Sequence, residues 1–246
     1  MDGSFWGEMN TDPDVARLAS LLVEPARAAM LMHLLDGRSW TAAELANVAG
    51  VRPPSASAHL KKLLAGELIK VSPAGRHRYY RLAGAEVASL LEQFARSAPG
   101  AAVSTPGERR ASSSMRECRL CYNHLAGRLG VEIAETLVRR EWLIEDEPWY
   151  RLTEAGWQKL TAIGIKPATG KTCMDWSERR LHIAGILGRN LVESLLNRKV
   201  LQRDPKSRAL RVTPEGVDVI RTDFGVDWPL SSVRSLPGAL PARAGS

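Results

Sequence analysis

Thr41-Ala-Ala-Glu-Leu-Ala-Asn-Val-Ala-Gly-Val-Arg-Pro-Pro-Ser-Ala-Ser-Ala-His-Leu60 decides the fold of the N-terminal third. Thr41 followed three residues later by Glu44 is a capping box, in which each side chain serves the other residue's backbone N–H at a helix start. The spacing predicts a helix over 42–49, and Gly50 predicts the turn that ends it. Pro53-Pro54 predicts a second helix reaching about residue 65, because the first helical turn tolerates proline. Upstream, Pro25 opens a helix with Ala29, Leu31, Met32, Leu34 and Leu35 as its apolar positions, and Asp36-Gly37 ends it. Downstream, Gly66 stops the second helix. Leu68-Ile-Lys-Val and Arg78-Tyr-Tyr-Arg-Leu then flank Ser72-Pro-Ala-Gly-Arg-His as a basic hairpin. Helix, turn, helix and hairpin together predict a winged helix-turn-helix over about residues 25–82.

The faces of the second helix differ. Ala56, Leu60, Leu63 and Leu64 suit a core. Arg52, Ser55, Ser57, Ala58, His59, Lys61 and Lys62 offer small polar groups and cations, which can enter a major groove or bond phosphates. Arg76, His77, Arg78 and Tyr80 on the hairpin are placed to grip phosphates or a minor groove. Double-stranded DNA is the partner these residues suit. A winged helix that binds only protein is the bland alternative, and the basic wing tip argues against it.

The chain has 246 residues and a net charge of +7, enough for two modest domains and favourable to a polyanionic partner. It holds no apolar run of 18 or more residues, so no membrane partner is expected. Residues 1–14 are acidic and lack the pattern of a secretory signal. Three cysteines, Cys118, Cys121 and Cys173, do not make a disulfide framework, and a cytoplasmic protein with free thiols is expected.

The expected domains are 13–96 for DNA binding and dimerisation, a Pro/Gly/Ser-rich linker over 97–114, a ligand-sensing domain over 115–228, and a disordered tail over 229–246. The third region contains a repeat. His124-Leu-Ala-Gly-Arg-Leu-Gly recurs as His182-Ile-Ala-Gly-Ile-Leu-Gly, a shift of 182 − 124 = 58 positions. Tyr150-Arg-Leu-Thr-Glu-Ala-Gly and Leu210-Arg-Val-Thr-Pro-Glu-Gly follow in the same order, and Ile163-Gly-Ile and Phe224-Gly-Val close the two copies. Leu45-Ala-Asn-Val-Ala-Gly-Val echoes the same motif upstream. The fold expected is therefore mainly α with small β-hairpins: one winged helix-turn-helix followed by two degenerate winged-helix-like repeats, 115–166 and 171–228.

Glu24-Pro-Ala-Arg, Leu34-Leu-Asp-Gly, Glu44-Leu-Ala, Ser57-Ala-His-Leu, Gly66-Glu-Leu-Ile and Gly75-Arg-His-Arg-Tyr-Tyr-Arg-Leu give the stretch from about 14 to 94 its resemblance to the ArsR/SmtB family of metal-responsive repressors. It resembles the cadmium/lead-sensing branch in particular. The resemblance implies a homodimer held by outer helices, recognition helices in successive major grooves, and repression relieved by an inducer. The family's cysteine positions do not carry over. Residues 60–66 and 44–49 hold no cysteine, and 86–94 lack the Asp/His/Glu pattern of zinc sensors.

Sensing is therefore expected in the C-terminal repeats. Cys118, Cys121 and His124 are spaced by three, which on a helix would let Cys121 share a face with each neighbour. Cys173, Asp175 and His182 belong to the second copy. Convergence of the two sets would suit Zn, Cd, Pb or As as inducer. Other readings stay open: buried thiols that only pack, histidines serving one repeated hydrogen bond, and an Asp175/Glu178 capping box. A small organic ligand or a thiol redox switch could also drive the response. No G-x-S-x-G, P-loop, G-x-G-x-x-G or H-E-x-x-H motif occurs, so no enzyme is expected. A thiol-dependent enzyme built on Cys121 and His124 is the distant alternative.

Overall fold

The computed structural model describes residues 14–98, 105–205 and 207–229. The first residues of the expected linker (99–104) and the expected tail beyond Pro229 lie outside them. The chain divides into two compact units, the first made of residues up to Leu34 with Ser39–Gly84, the second of Leu35–Arg38 with 85 onward.

In the first unit, helices α1 (Val15–Val23), α2 (Pro25–Leu34), α3 (Ala42–Ala49) and α4 (Pro53–Ala65) are joined to strands β1 (Trp40–Thr41), β2 (Ile69–Ala74) and β3 (His77–Leu82). The Thr41/Glu44 capping box forms as its sequence predicts, and Gly50 closes α3 in the left-handed conformation. Met30, Leu31, Leu45, Leu60 and Leu63 are buried beneath the sheet of order β1-β3-β2. Strand β1, which pairs Trp40 with Tyr80, has no sequence signal, since two residues are too few to show a period. Arg27 is buried because it caps α1, donating from Nε to Leu21 O and from Nη2 to Ser20 O.

The second unit begins with α5 (Ala85–Ser97) and α6 (Pro106–Glu117). Helix α5 thus groups with the C-terminal residues and not with the winged helix, where the sequence reading put it. Helix α6 occupies the second half of the stretch read as linker. Its Pro106 and Gly107 are the residues that read as a break, yet proline fits a first helical turn.

Two copies of hairpin, helix, hairpin and helix follow. The first is β4 (Arg119–Cys121), β5 (His124–Ala126), α7 (Arg128–Arg139), β6 (Leu143–Asp146), β7 (Trp149–Leu152) and α8 (Glu154–Ala162). The second is β8 (Gly170–Met174), β9 (Leu181–Ala184), α9 (Gly185–Asn197), β10 (Leu201–Arg203), β11 (Leu210–Val212) and α10 (Pro214–Val219), which runs into a π-helical turn, Ile220–Phe224.

The halves that match the winged helix do so in backbone detail. After α4, α7 and α9 the chain turns through Glu67, Glu141 and Lys199, each at positive φ. The next N–H then reaches back five residues in every case, Leu68 to Leu63, Trp142 to Leu137 and Val200 to Leu195. The leading halves differ. Where a helix-turn-helix has its first helix, both C-terminal copies have a two-stranded hairpin. The segments carrying His124 and His182 are therefore strands, and no helix starts at Asp175. Asp175 instead caps a turn, accepting from the N–H groups of Ser177 and Glu178 through Oδ1.

The two copies interlock. Strands β6-β7-β8-β9 form one sheet, joining the second hairpin of copy one to the first hairpin of copy two. Arg119 bridges Ala209 and joins β4 to the β10–β11 hairpin in the reciprocal way. Helix α7 packs on β9, and α9 packs on β5. Gly188 permits this closeness: a Cβ there would lie 2.2 Å from Ile183 O and 3.0 Å from His124 Cβ. Gly130, the equivalent residue, would meet Leu125 O at 2.6 Å. One apolar core runs through both copies, from Leu120 and Leu129 to Leu191 and Phe224.

Candidate functional site

Helix α4 presents Arg52, Ser55, Ser57, Ala58, Lys61 and Lys62 to solvent, with His59 half-buried. Ser57 Oγ donates to Pro53 O at 3.1 Å, a bond easily exchanged for a base or phosphate. At the wing, Arg76, His77 and Arg78 are exposed, and Arg76 Nε donates to His77 Nε2 at 3.2 Å. Tyr80 departs from expectation. It is only 8% exposed, because strand alternation turns it inward against Trp40 and Val71. Arg81 and Lys70, paired across the wing and both exposed, add cations that the sequence reading passed over.

The second constellation lies between the two leading hairpins. Cys121 pairs with His124 across the β4–β5 hairpin, and Cys173 pairs with His182 across β8–β9. The two hairpins are equivalent, but the second carries six more residues in its turn, since 182 − 173 = 9 against 124 − 121 = 3. Interlocking of the copies brings the hairpins together. Donor atoms of Cys121, His124, Cys173 and His182 all lie within 4.8 Å of one another. His124 Nε2 and His182 Nε2 are 3.1 Å apart, with the rings stacked at 26°.

Two of the six expected ligands, Cys118 and Asp175, lie outside this group of four. Cys118 precedes β4, and on an extended chain a spacing of three puts it on the face opposite Cys121, whereas a helix would align them. Its thiol packs in the apolar core, and burial pushes its ionisation up, far out of the physiological range. Asp175 supports the site from behind. Its Oδ2 accepts from Arg119 Nη2 at 2.9 Å and from the Gly127 N–H at 2.7 Å, and lies 3.9 Å from His182 Nδ1. Burial works to raise the Asp175 pKa, but the Arg119 guanidinium and the bonds from Ser177 and Gly127 outweigh it and hold the carboxyl well below its usual range. Arg119, wholly buried and stacked on Trp176 at 4.5 Å, was not singled out in the sequence.

The two cysteines of the cluster share a proton unequally. Cys121 donates to the Cys173 sulfur, and this bond, reinforced by burial, pushes the Cys121 pKa up to about 12. The same bond lowers that of Cys173, so the pair holds one thiol beside one thiolate-prone sulfur. His124 Nδ1 faces Asn123 Oδ1 at 3.4 Å, and His182 Nδ1 faces Asp175. The 3.1 Å Nε2–Nε2 contact is a hydrogen bond in which one ring donates and the other accepts, and His182 Nδ1, 3.9 Å from Asp175, has no hydrogen-bond partner of its own.

A family described as a helix-turn-helix domain matches residues 22–72. The chain is 40% identical over 213 residues to an uncharacterised HTH-type transcriptional regulator, YdfF, of Bacillus subtilis strain 168; the match covers 83% of this chain and 94% of that one. Among solved structures, it is similar to the homodimeric winged helix-turn-helix domain of a possible ArsR-family regulator from Mycobacterium bovis. That match has 30% identity, 35% of this chain, 86% of that chain and TM-score 0.30. It is also similar to the cadmium sensor CmtR of Mycobacterium tuberculosis, with 30% identity, 37% and 94% coverage and TM-score 0.31. No helix among the described residues is long and apolar enough to cross a membrane. The chain belongs to the HTH-type transcriptional regulators, with its helix-turn-helix domain built as a winged helix.

Proposed function

We propose that this regulator is a repressor whose hold on DNA is released by a borderline metal ion bound at Cys121, His124, Cys173 and His182. A homodimer would place two α4 helices in successive major grooves, with Arg52, Ser55, Ser57, Ala58, His59, Lys61 and Lys62 at the groove and Arg76, His77 and Arg78 on phosphates. The observation that carries the sensor reading is the convergence of four N and S donors, one Cys and one His from each of two equivalent hairpins, within 4.8 Å. Two thiolates and two imidazoles in a closed set suit tetrahedral Zn(II) or Cd(II). They suit Pb(II) and As(III) less, since those ions want more sulfur than the two cysteines supply.

The test is a titration of reduced protein with Zn(II) and Cd(II), following thiolate absorption and anisotropy of a labelled duplex from upstream of its own gene. One equivalent per chain and a change of about tenfold in DNA affinity are expected, within the usual range of coupling between sites. Unchanged DNA affinity with both ions overturns the sensor reading. A thiol switch is the second reading, favoured by the Cys121–Cys173 hydrogen bond. It requires that peroxide, with chelator present, alter DNA affinity by joining these two sulfurs.

A further inference from the structure

The strands that carry the two cysteines are held from outside the cluster by one helix. Arg208 is 5% exposed and Glu92, on α5, is 2% exposed. They form a buried ion pair, and the same Arg208 Nη1 donates to Leu120 O at 3.3 Å. Leu120 is the residue before Cys121. Burial works to raise the Glu92 pKa, but Arg208 and then Arg119 outweigh it, so the carboxyl is held ionised. On the other hairpin, Arg96 of α5 donates to Met174 O at 3.5 Å, and Met174 is the residue after Cys173. Helix α5 therefore reaches the backbone next to each sulfur, directly at Met174 and through Arg208 at Leu120. The turn between Cys121 and His124 has a separate tie. Tyr122 N donates to Leu35 O at 2.6 Å, and a Cβ on Gly37 would lie 2.5 Å from Tyr122 O. The chain passes from 35–38 directly into β1 and α3, and from the wing strand β3 directly into α5.

We propose that α5, through the Glu92–Arg208 pair, and the 35–38 turn, through Tyr122, are the route by which filling the cluster reaches the DNA-binding unit. This rests on the metal-sensor reading above and adds its mechanism. Bond lengths of about 2.3 Å to sulfur and 2.0–2.1 Å to nitrogen set tetrahedral edges of ~3.8 Å between sulfurs and ~3.3 Å between nitrogens. The Nε2–Nε2 distance of 3.1 Å already fits, while the set as a whole spreads to 4.8 Å. Loading therefore has to close the widest of these separations. The two strands carry the sulfurs; the carbonyl beside Cys121 is bonded to Arg208, which α5 holds through Glu92, and the carbonyl beside Cys173 is bonded to Arg96 of α5. A close-packed interior passes such a shift on as a switch between packings and does not absorb it.

The experiment replaces the pair together, Glu92→Leu with Arg208→Met, so that no lone charge stays buried. Glu92 also bonds the Cys121 thiol, so Zn(II) affinity by chelator competition should fall by no more than the ~10–100-fold typical of losing a ligand's supporting partner, and duplex affinity is read with zinc at saturation. The zinc-dependent change in duplex affinity should fall from about tenfold to under about twofold. A double variant that binds zinc and keeps the full change overturns the proposal and leaves the sensor reading intact. Wild-type protein that binds zinc with no change in duplex affinity overturns both. Hydrogen exchange on the wild type gives a result independent of the variant's folding. Zinc should slow exchange in 85–97 and 35–38, and protection confined to the four ligand strands overturns the route.

Discussion

In the wing, every residue from 71 to 78 is exposed; in the β4–β5 hairpin all six strand residues are buried. Both are short antiparallel hairpins; the wing carries cations near its tip and β4–β5 carries Cys121 and His124. The wing's Arg76 and Arg78 keep their hydration and act at a distance on a polyanion, so their contribution is electrostatic and salt-dependent. Cys121, His124 and His182 are buried, and Cys173 is half-buried. A thiolate or an imidazole there costs free energy unless it meets a specific partner, and that requirement gives selectivity. Access to solvent, more than hairpin geometry, separates the proposed DNA-reading hairpin from the proposed sensing one.

Four outcomes would break or sharpen this contrast. The largest concerns Asp175, whose loss leaves Arg119 buried without its partner. Asp175→Asn should lower stability of the C-terminal unit by roughly 3–5 kcal/mol, measured as a shift of the urea midpoint by tryptophan fluorescence. Acid should act the same way. Asp175 and Glu92 both have depressed folded pKa values. Their stabilisation is therefore present above the unfolded carboxyl values of about 4 and is lost as pH falls through the lower folded ones. Unfolding of this unit that is flat between pH 5 and 2 would contradict it.

Next, Cys121→Ser or Cys173→Ser should weaken Zn(II) by at least about a hundredfold, beyond the ~10–100-fold typical of losing a ligand's supporting partner. Chelator competition reads this, and equal losses are expected because the two hairpins are equivalent. A smaller effect belongs to the wing. Arg78→Ala should reduce the slope of log affinity against log salt by about one and leave zinc binding unchanged. A change in zinc affinity would mean that the two hairpins are not separate devices. The smallest concerns Cys118→Ala. It should change Zn(II) affinity less than about twofold, since a strand spacing of three turns Cys118 away from the cluster.

The winged helix was legible because its signals are local. Thr41 with Glu44, Gly50 and Pro53-Pro54 each specify a cap or a turn within four residues. The cluster was legible in composition but not in geometry. Strands of three residues are too short to show a period of two, and 118–126 reads equally well as a helical seam. The turn Tyr122-Asn123 has its positive φ, 60, at the tyrosine, where no glycine or asparagine marks it. The 58-residue shift aligned the histidines, yet the six extra residues between Cys173 and His182 hid the equivalence of the cysteines. The partners of the cluster were the least visible. Glu92 and Arg208 stand 116 positions apart, and no short-range pattern pairs an acid with a base at that separation.

The even division of the four donors between the two copies has a quantitative consequence. Each copy supplies one sulfur and one nitrogen, so a lone copy holds half a coordination shell, and the shell closes within a single polypeptide. Any ion held there counts one per chain, and its binding is first order in protein. Occupancy would then follow the free-ion level alone, unaffected by how much of the regulator the cell has made or by whether two subunits have met.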